Sequence, residues 1–192
     1  MNWNSHYALE GAHAFLSPSQ SSWINYTDDD LMERYFSQQA IKRGTELHKY
    51  AELAIRHEIM QPKKHKTLYE YINDAIGFRM SPEVILYYSK WCFGTADAIS
   101  FRREPNISTE KDILRIHDLK TGRTPAKMRQ LEVYAALFCL EYDYLPSEIL
   151  IFLRIYQFDE IREQEVSSEQ IVPIMDKIRR FNILIDAMEK GE

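Results

Sequence analysis

The feature that most constrains the fold of this chain is the run Glu148-Ile149-Leu150-Ile151-Phe152-Leu153-Arg154-Ile155-Tyr156, which is apolar at almost every position. Such a run suits a strand buried in the middle of a sheet rather than one with a wet face. A second apolar run, from Ile113, ends in Asp118-Leu119-Lys120-Thr121-Gly122. As a strand, its period of two puts Asp118 and Lys120 on one face and Leu119 on the other. One side is then chemical and the other buried. Spacing alone leaves two readings of this acid and amine: a surface ion pair worth about 0 to 1 kcal/mol, or half of a reactive centre.

Upstream, Val84-Ile85-Leu86-Tyr87-Tyr88 and the stretch from Trp91 to Phe101 are β-branched and aromatic. Together they predict an antiparallel hairpin turning at Ser89-Lys90. Within it, Asp97 follows Gly94-Thr95-Ala96 and shares a face with Thr95 and Ile99. A carboxylate in such apolar surroundings calls for a bound cation or a salt bridge to offset its burial.

Helices are expected on both sides of these strands. Ser17-Pro18 predicts a short helix to Ile24, and Thr27 or Asp28 caps a second, with Asp28, Asp29 and Asp30 in its favourable first turn. A long helix is expected from Thr45 to Met60, on which His48 and Glu52 stand four apart and share a face. A histidine in this setting is either structural or a ligand, and neutral imidazole suits manganese and other borderline cations. Gln61 to Lys66 concentrates positive charge in a loop, either solvated or in contact with phosphates. Thr67 with Glu70 predicts a capping box for a helix over Leu68 to Phe78. Thr124-Pro125 predicts a helix from Pro125 to Glu141, with Lys127 and Gln130 on neighbouring faces and Gln130 one turn from Tyr134. Ser167 or Ser168 caps a last helix to Met188. Met1 to Leu16 shows no period, and Arg102 to Asp112 reads as a polar loop.

With 192 residues, 45% of them hydrophobic, the chain suits one globular domain. A net charge of −5 argues against coating nucleic acid through bulk charge, so any such binding must use a local patch. Cys92 and Cys139 are too few for a disulfide framework and are not spaced as a zinc site. No leader pattern or apolar stretch of about 18 residues is present, so no membrane association and a cytoplasmic location are expected.

Four blocks in order, Gly44-Thr45-Glu46-Leu47-His48, Gly94-Thr95-Ala96-Asp97, Asp118-Leu119-Lys120 and Gln130-x-x-x-Tyr134, resemble the motifs of the PD-(D/E)XK nuclease superfamily in its RecB-like exonuclease branch. The resemblance covers roughly Ser17 to Tyr156. It implies an α/β fold of the α+β kind: a restriction-endonuclease-like core with a mixed central sheet flanked by helices and an N-terminal helical portion. It further implies a Mg²⁺- or Mn²⁺-dependent deoxyribonuclease in which Asp97, Asp118 and Lys120 are catalytic, and His48, Asp97, Asp118 and the Leu119 carbonyl hold the metal. Gln130, Tyr134, Thr121, Arg123 and Lys127 would position DNA, and Glu52 would stand behind the ligands. The cluster-binding relatives use four cysteines, so no iron–sulfur cluster is expected here. The implied substrate is single-stranded or linear double-stranded DNA in recombination or repair, of phage or mobile-element type. A strand-annealing or helicase partner and a homo-oligomer fit the same picture. Two alternatives share the resemblance: a structure-specific or CRISPR-associated-like endonuclease, and a nuclease-like module that binds DNA without cutting.

Overall fold

The computed structural model describes residues 5–103 and 111–191, so most of the polar loop expected over Arg102 to Asp112, and the first four residues of the N-terminal arm, lie outside it. The chain divides into two compact units, residues 1–45 and 46–192. In the first, short 3-10 helices cover Tyr7–Leu9 and Pro18–Asn25, the latter kinked at Gln20. Helix α1 (Asp28–Arg56) follows. Thr27 caps it: its Oγ1 accepts the Asp30 N–H at 3.2 Å, while its own N–H and hydroxyl donate to the Asp30 carboxylate.

The two helices expected over this region are thus one, with Gly44 inside it. It stops at Arg56 instead of running to Met60. Glu58 takes a left-handed φ of 53°, the Ile59 N–H returns to the Ala54 carbonyl and the Glu58 N–H to Ile55, which is how a helix closes on a left-handed residue.

The second unit carries α2 (Lys66–Gly77), β1 (Ser81–Ser89), β2 (Cys92–Arg102), β3 (Ile113–Leu119), α3 (Arg129–Glu141), β4 (Leu150–Gln157), β5 (Glu160–Val166) and α4 (Ser168–Lys190). The strands form one mixed sheet in the order β1-β2-β3-β4-β5, parallel between β3 and β4 and antiparallel elsewhere. The fold is α+β, as expected. The parallel pair follows from α3, which supplies the crossover that parallel neighbours need.

All seven residues of β3 are buried because it is the middle strand and has a helical layer on each face. Leu114 and Ile116 join Leu131, Ala135, Ile171 and Met175 of α3 and α4 in one core. Leu119 joins Ala51, Ile55, Ile72 and Ala75 of α1 and α2 in another. The Leu150–Gln157 strand is not the central one that its apolar run suggests. It is second from the edge, and β5, unanticipated because Glu160-Ile-Arg-Glu-Gln-Glu-Val166 is so polar, covers its outer side. Charge suits an outermost strand, where it discourages pairing with other chains.

Three expected helix starts and turns shift for identifiable reasons. The hairpin turns at Lys90-Trp91, one residue late, after an irregularity between Tyr87 and Ser89. Its tip is held by α4, through Trp91 Nε1 to Asp186 at 3.0 Å and Lys90 to Glu189 at 2.6 Å. Helix α2 begins at Lys66, and Thr67 does not form the expected capping box. Its N–H and hydroxyl both donate to Asp159 of the β4–β5 turn, which caps the helix from across the fold. Helix α3 begins at Arg129 rather than Pro125. The Gln157 side chain pins the preceding segment open, accepting the Ala126 N–H and donating to the carbonyls of Gly122 and Thr124, each at 2.9 Å. By contrast, Ser167 and Gln170 make the capping box of α4.

Candidate metal centre

The site lies at the end of β3 where pairing with β2 stops. The last backbone pair is Ala98 with His117, so one residue further on Asp97 and Asp118 face each other across the two strands. In place of a ladder bond, the Leu119 N–H donates to Asp97 Oδ2 at 2.9 Å. On the other side of β2, Glu83 falls between the pairs Pro82 with Ala98 and Val84 with Ala96, which puts it opposite Asp97. Three carboxylates from three strands therefore stand in one row.

From the helical side, His48 of α1 brings Nδ1 to 3.4 Å from Asp97 Oδ2. One ligand atom each from His48, Glu83 and Asp97 lies within 4.8 Å of the others, close enough to share a cation. Burial holds the His48 imidazole below its ordinary pKa, against the charges of Glu83 and Asp118. A neutral imidazole is the form that ligates.

The acids are poised against one another. Burial, then the charge of Asp118, pushes the Asp97 carboxyl up to about 7 despite the Leu119 N–H and Lys120. Asp118, 2% exposed, is also raised by burial, with Lys120 opposing. Its Oδ1 accepts from Lys120 Nζ at 2.9 Å, and its Oδ2 is buried without a hydrogen-bond partner. Glu83 is raised by burial and by Asp97. Buried, mutually repelling carboxylates with an oxygen left over fit a divalent cation, which accepts hard oxygen donors and removes the repulsion.

Lys120 extends the centre toward α3. Its Nζ donates also to Gln130 Oε1 at 3.1 Å, and Gln130 Nε2 lies 3.4 Å from the Tyr134 hydroxyl. The Lys120 backbone is fixed by its N–H to the Tyr156 carbonyl at 2.9 Å. Tyr134 in turn packs against Gly94, where a Cβ would come within 2.9 Å of its ring. A glycine at 94 is thus what lets the ring in.

Of the residues singled out from sequence, His48, Asp97, Asp118, Leu119, Lys120, Gln130 and Tyr134 are brought into this one chain of contacts. Glu52 is bonded to Arg56, at 2.9 Å, and reaches the centre only through its charge on Glu83. Thr121, Arg123 and Lys127 sit exposed in the segment between β3 and α3. Lys127 precedes the helix and so does not share its face with Gln130, because α3 starts late.

Glu83 was not anticipated. Counting the hairpin register straight back from Lys90-Trp91 puts Val84 opposite Asp97, and it is the irregularity between Tyr87 and Ser89 that shifts the pairing by one residue and brings Glu83 there. Its φ of 53° inside a strand is a left-handed conformation that costs a non-glycine residue about 1–3 kcal/mol, and such strain gathers at functional sites.

Among known proteins, no family model, curated protein or solved structure matches this chain.

Proposed function

We propose that the protein is a metal-dependent DNA exonuclease with a PD-(D/E)XK core of the RecB-like kind, hydrolysing phosphodiester bonds in recombination or repair within the cytoplasm. The observation that carries this reading is the meeting, at one strand end, of Asp97, Asp118 with its unpartnered oxygen, His48, and a lysine held between Asp118 and Gln130. Among the described residues no helix is long and apolar enough to cross a membrane.

His48, Asp97 and Asp118 are the side chains that would hold Mg²⁺ or Mn²⁺, with the Leu119 carbonyl beside them. Bound there, the ion supplies an acidified water and neutralises charge on the phosphate. The chain does the rest. Lys120 orients the attacking water and faces the negative charge that grows on the phosphoryl oxygens, and Gln130 and Asp118 fix its Nζ so that little reorganisation is needed. The water oxygen forms the new P–O bond, the bridging P–O bond breaks, and the leaving oxygen takes up a proton. Exposed Thr121, Arg123 and Lys127 lie on the adjoining segment, where contacts to phosphates would hold the strand without reading sequence.

The test is cleavage of end-labelled linear DNA and closed circular DNA, single and double stranded, with Mg²⁺, Mn²⁺ or EDTA, for the wild type and Lys120→Ala. Metal-dependent loss of linear DNA alone, abolished in Lys120→Ala, supports an exonuclease. Cutting of circles moves the reading to an endonuclease. Binding without cutting in any metal overturns it in favour of a non-catalytic module.

A further inference from the structure

Glu83 stands outside the set that the nuclease motifs supply, yet the hairpin departs from regular strand geometry at this residue. It is half-buried in β1, opposite Asp97, with a left-handed backbone that turns it from the path a regular strand would give it. The Arg56 guanidinium, one positive group that acts on it, is bonded to Glu52 instead. Its carboxylate shares a 4.8 Å space with His48 and Asp97. Next to that space lies Asp118, 2% exposed, with Oδ2 buried and unpartnered.

We propose that Glu83 is a cation ligand that makes this centre a four-donor site, one imidazole and three carboxylates, selecting Mn²⁺ over Mg²⁺. The inference rests on the metal-dependent reading of the same site. Mg²⁺ gives up its waters reluctantly and is usually held by one or two carboxylates, with water filling the remaining octahedral positions. Each further protein donor replaces a water, and an imidazole nitrogen favours a transition-metal dication. With His48, Asp97 and Asp118 alone, Mg²⁺ keeps most of its hydration. With Glu83 added, the ion must be stripped further, which Mn²⁺ tolerates better.

The experiment is titration of the metal-free protein with Mn²⁺, following the free-ion electron paramagnetic resonance signal at pH 8, with Mg²⁺ as competitor. Wild type and Glu83→Gln are compared, each also assayed for DNA cleavage. Glu83→Gln should weaken Mn²⁺ binding by about tenfold or more and lower the preference for Mn²⁺ over Mg²⁺. Its metal-free melting temperature should match or exceed that of wild type, since a charge facing Asp97 is gone. If Glu83→Gln does not fold, Glu83→Asp, which withdraws the carboxylate, should show the same loss, and unchanged affinity in it overturns the inference. Equal Mn²⁺ affinity in wild type and Glu83→Gln also overturns it, even if DNA is cut. Glu83-dependent Mn²⁺ binding with no cleavage by the wild type upholds it and removes the nuclease reading instead.

Discussion

Asp97 shows most directly how burial and charge compete in this centre. Its folded-state pKa, pushed up to about 7, lies above the 3.8 of an ordinary aspartate, so the folded chain binds a proton more tightly than the unfolded one between those values. Stability of the metal-free protein should therefore fall as pH rises through that window and level off above it, by roughly 4 kcal/mol at most for this one group. Asp97→Asn, without metal, should be more stable than wild type at pH 8 and no more stable at pH 4, as read by urea denaturation. The same proton competes with a cation, so Mn²⁺ should raise the melting temperature of the wild type more at pH 8 than at pH 6. Lys120 carries the complementary charge. Its replacement by Ala should lower cleavage by about 10²- to 10³-fold, the scale for losing a preorganised donor to developing charge. Gln130→Ala, which removes only a support for Lys120 Nζ, should cost less, and equal losses in single-turnover rates would show that Gln130 touches the substrate itself.

Among the elements, contacts between distant segments decide where helices begin and how closely they approach the sheet. Helix α3 reaches β2 only because residue 94 has no side chain to collide with Tyr134. Gly94→Ala should destabilise by about 1–3 kcal/mol, the range for overpacking, and most of that loss should disappear in combination with Tyr134→Ala. A double mutant no better than additive would mean that the strain lies in the β2 backbone. Asp159 holds the start of α2 from the β4–β5 turn, where both Phe158 and Asp159 have φ of 57°. Asp159→Ala should lower the midpoint of a denaturation experiment, as for other lost caps. Its folded-state pKa is lowered by the bonds from Thr67, so this contribution is present above the ordinary aspartate range and lost as pH falls below it. Gln157 acts likewise on the segment before α3, fixing three backbone groups that would otherwise be free to start the helix earlier.

For the whole molecule, both hydrophobic cores and every side chain of the centre lie in residues 46–192. A chain beginning at Thr27, which keeps the cap of α1, should therefore unfold cooperatively and bind Mn²⁺ as the full chain does. Loss of either property, by calorimetry or titration, would show that residues 1–26 support the fold. The two outer strands differ in character. β5 presents Glu160, Arg162, Glu163 and Glu165, whereas β1 and its neighbour expose Ile85, Tyr87 and Phe93.

The class of fold, and the residues that the candidate site draws together, were legible in local patterns of the chain. Apolar runs at strand length, a period of two that separates Asp118 and Lys120 from Leu119, and helical spacing for His48 and for Gln130 with Tyr134 are local properties, legible wherever the chain goes. Helix ends set by residues next to them, at Thr27 and Ser167, were legible for the same reason. The rest depends on partners far away in the chain. Asp159 starts α2, Gln157 delays α3, β5 forms because β4 offers it an edge, and Glu83 meets Asp97 through a register that one residue in the hairpin turn would change. Cross-strand neighbours are set by register, and register is a relation between two segments, so no pattern within either one contains it.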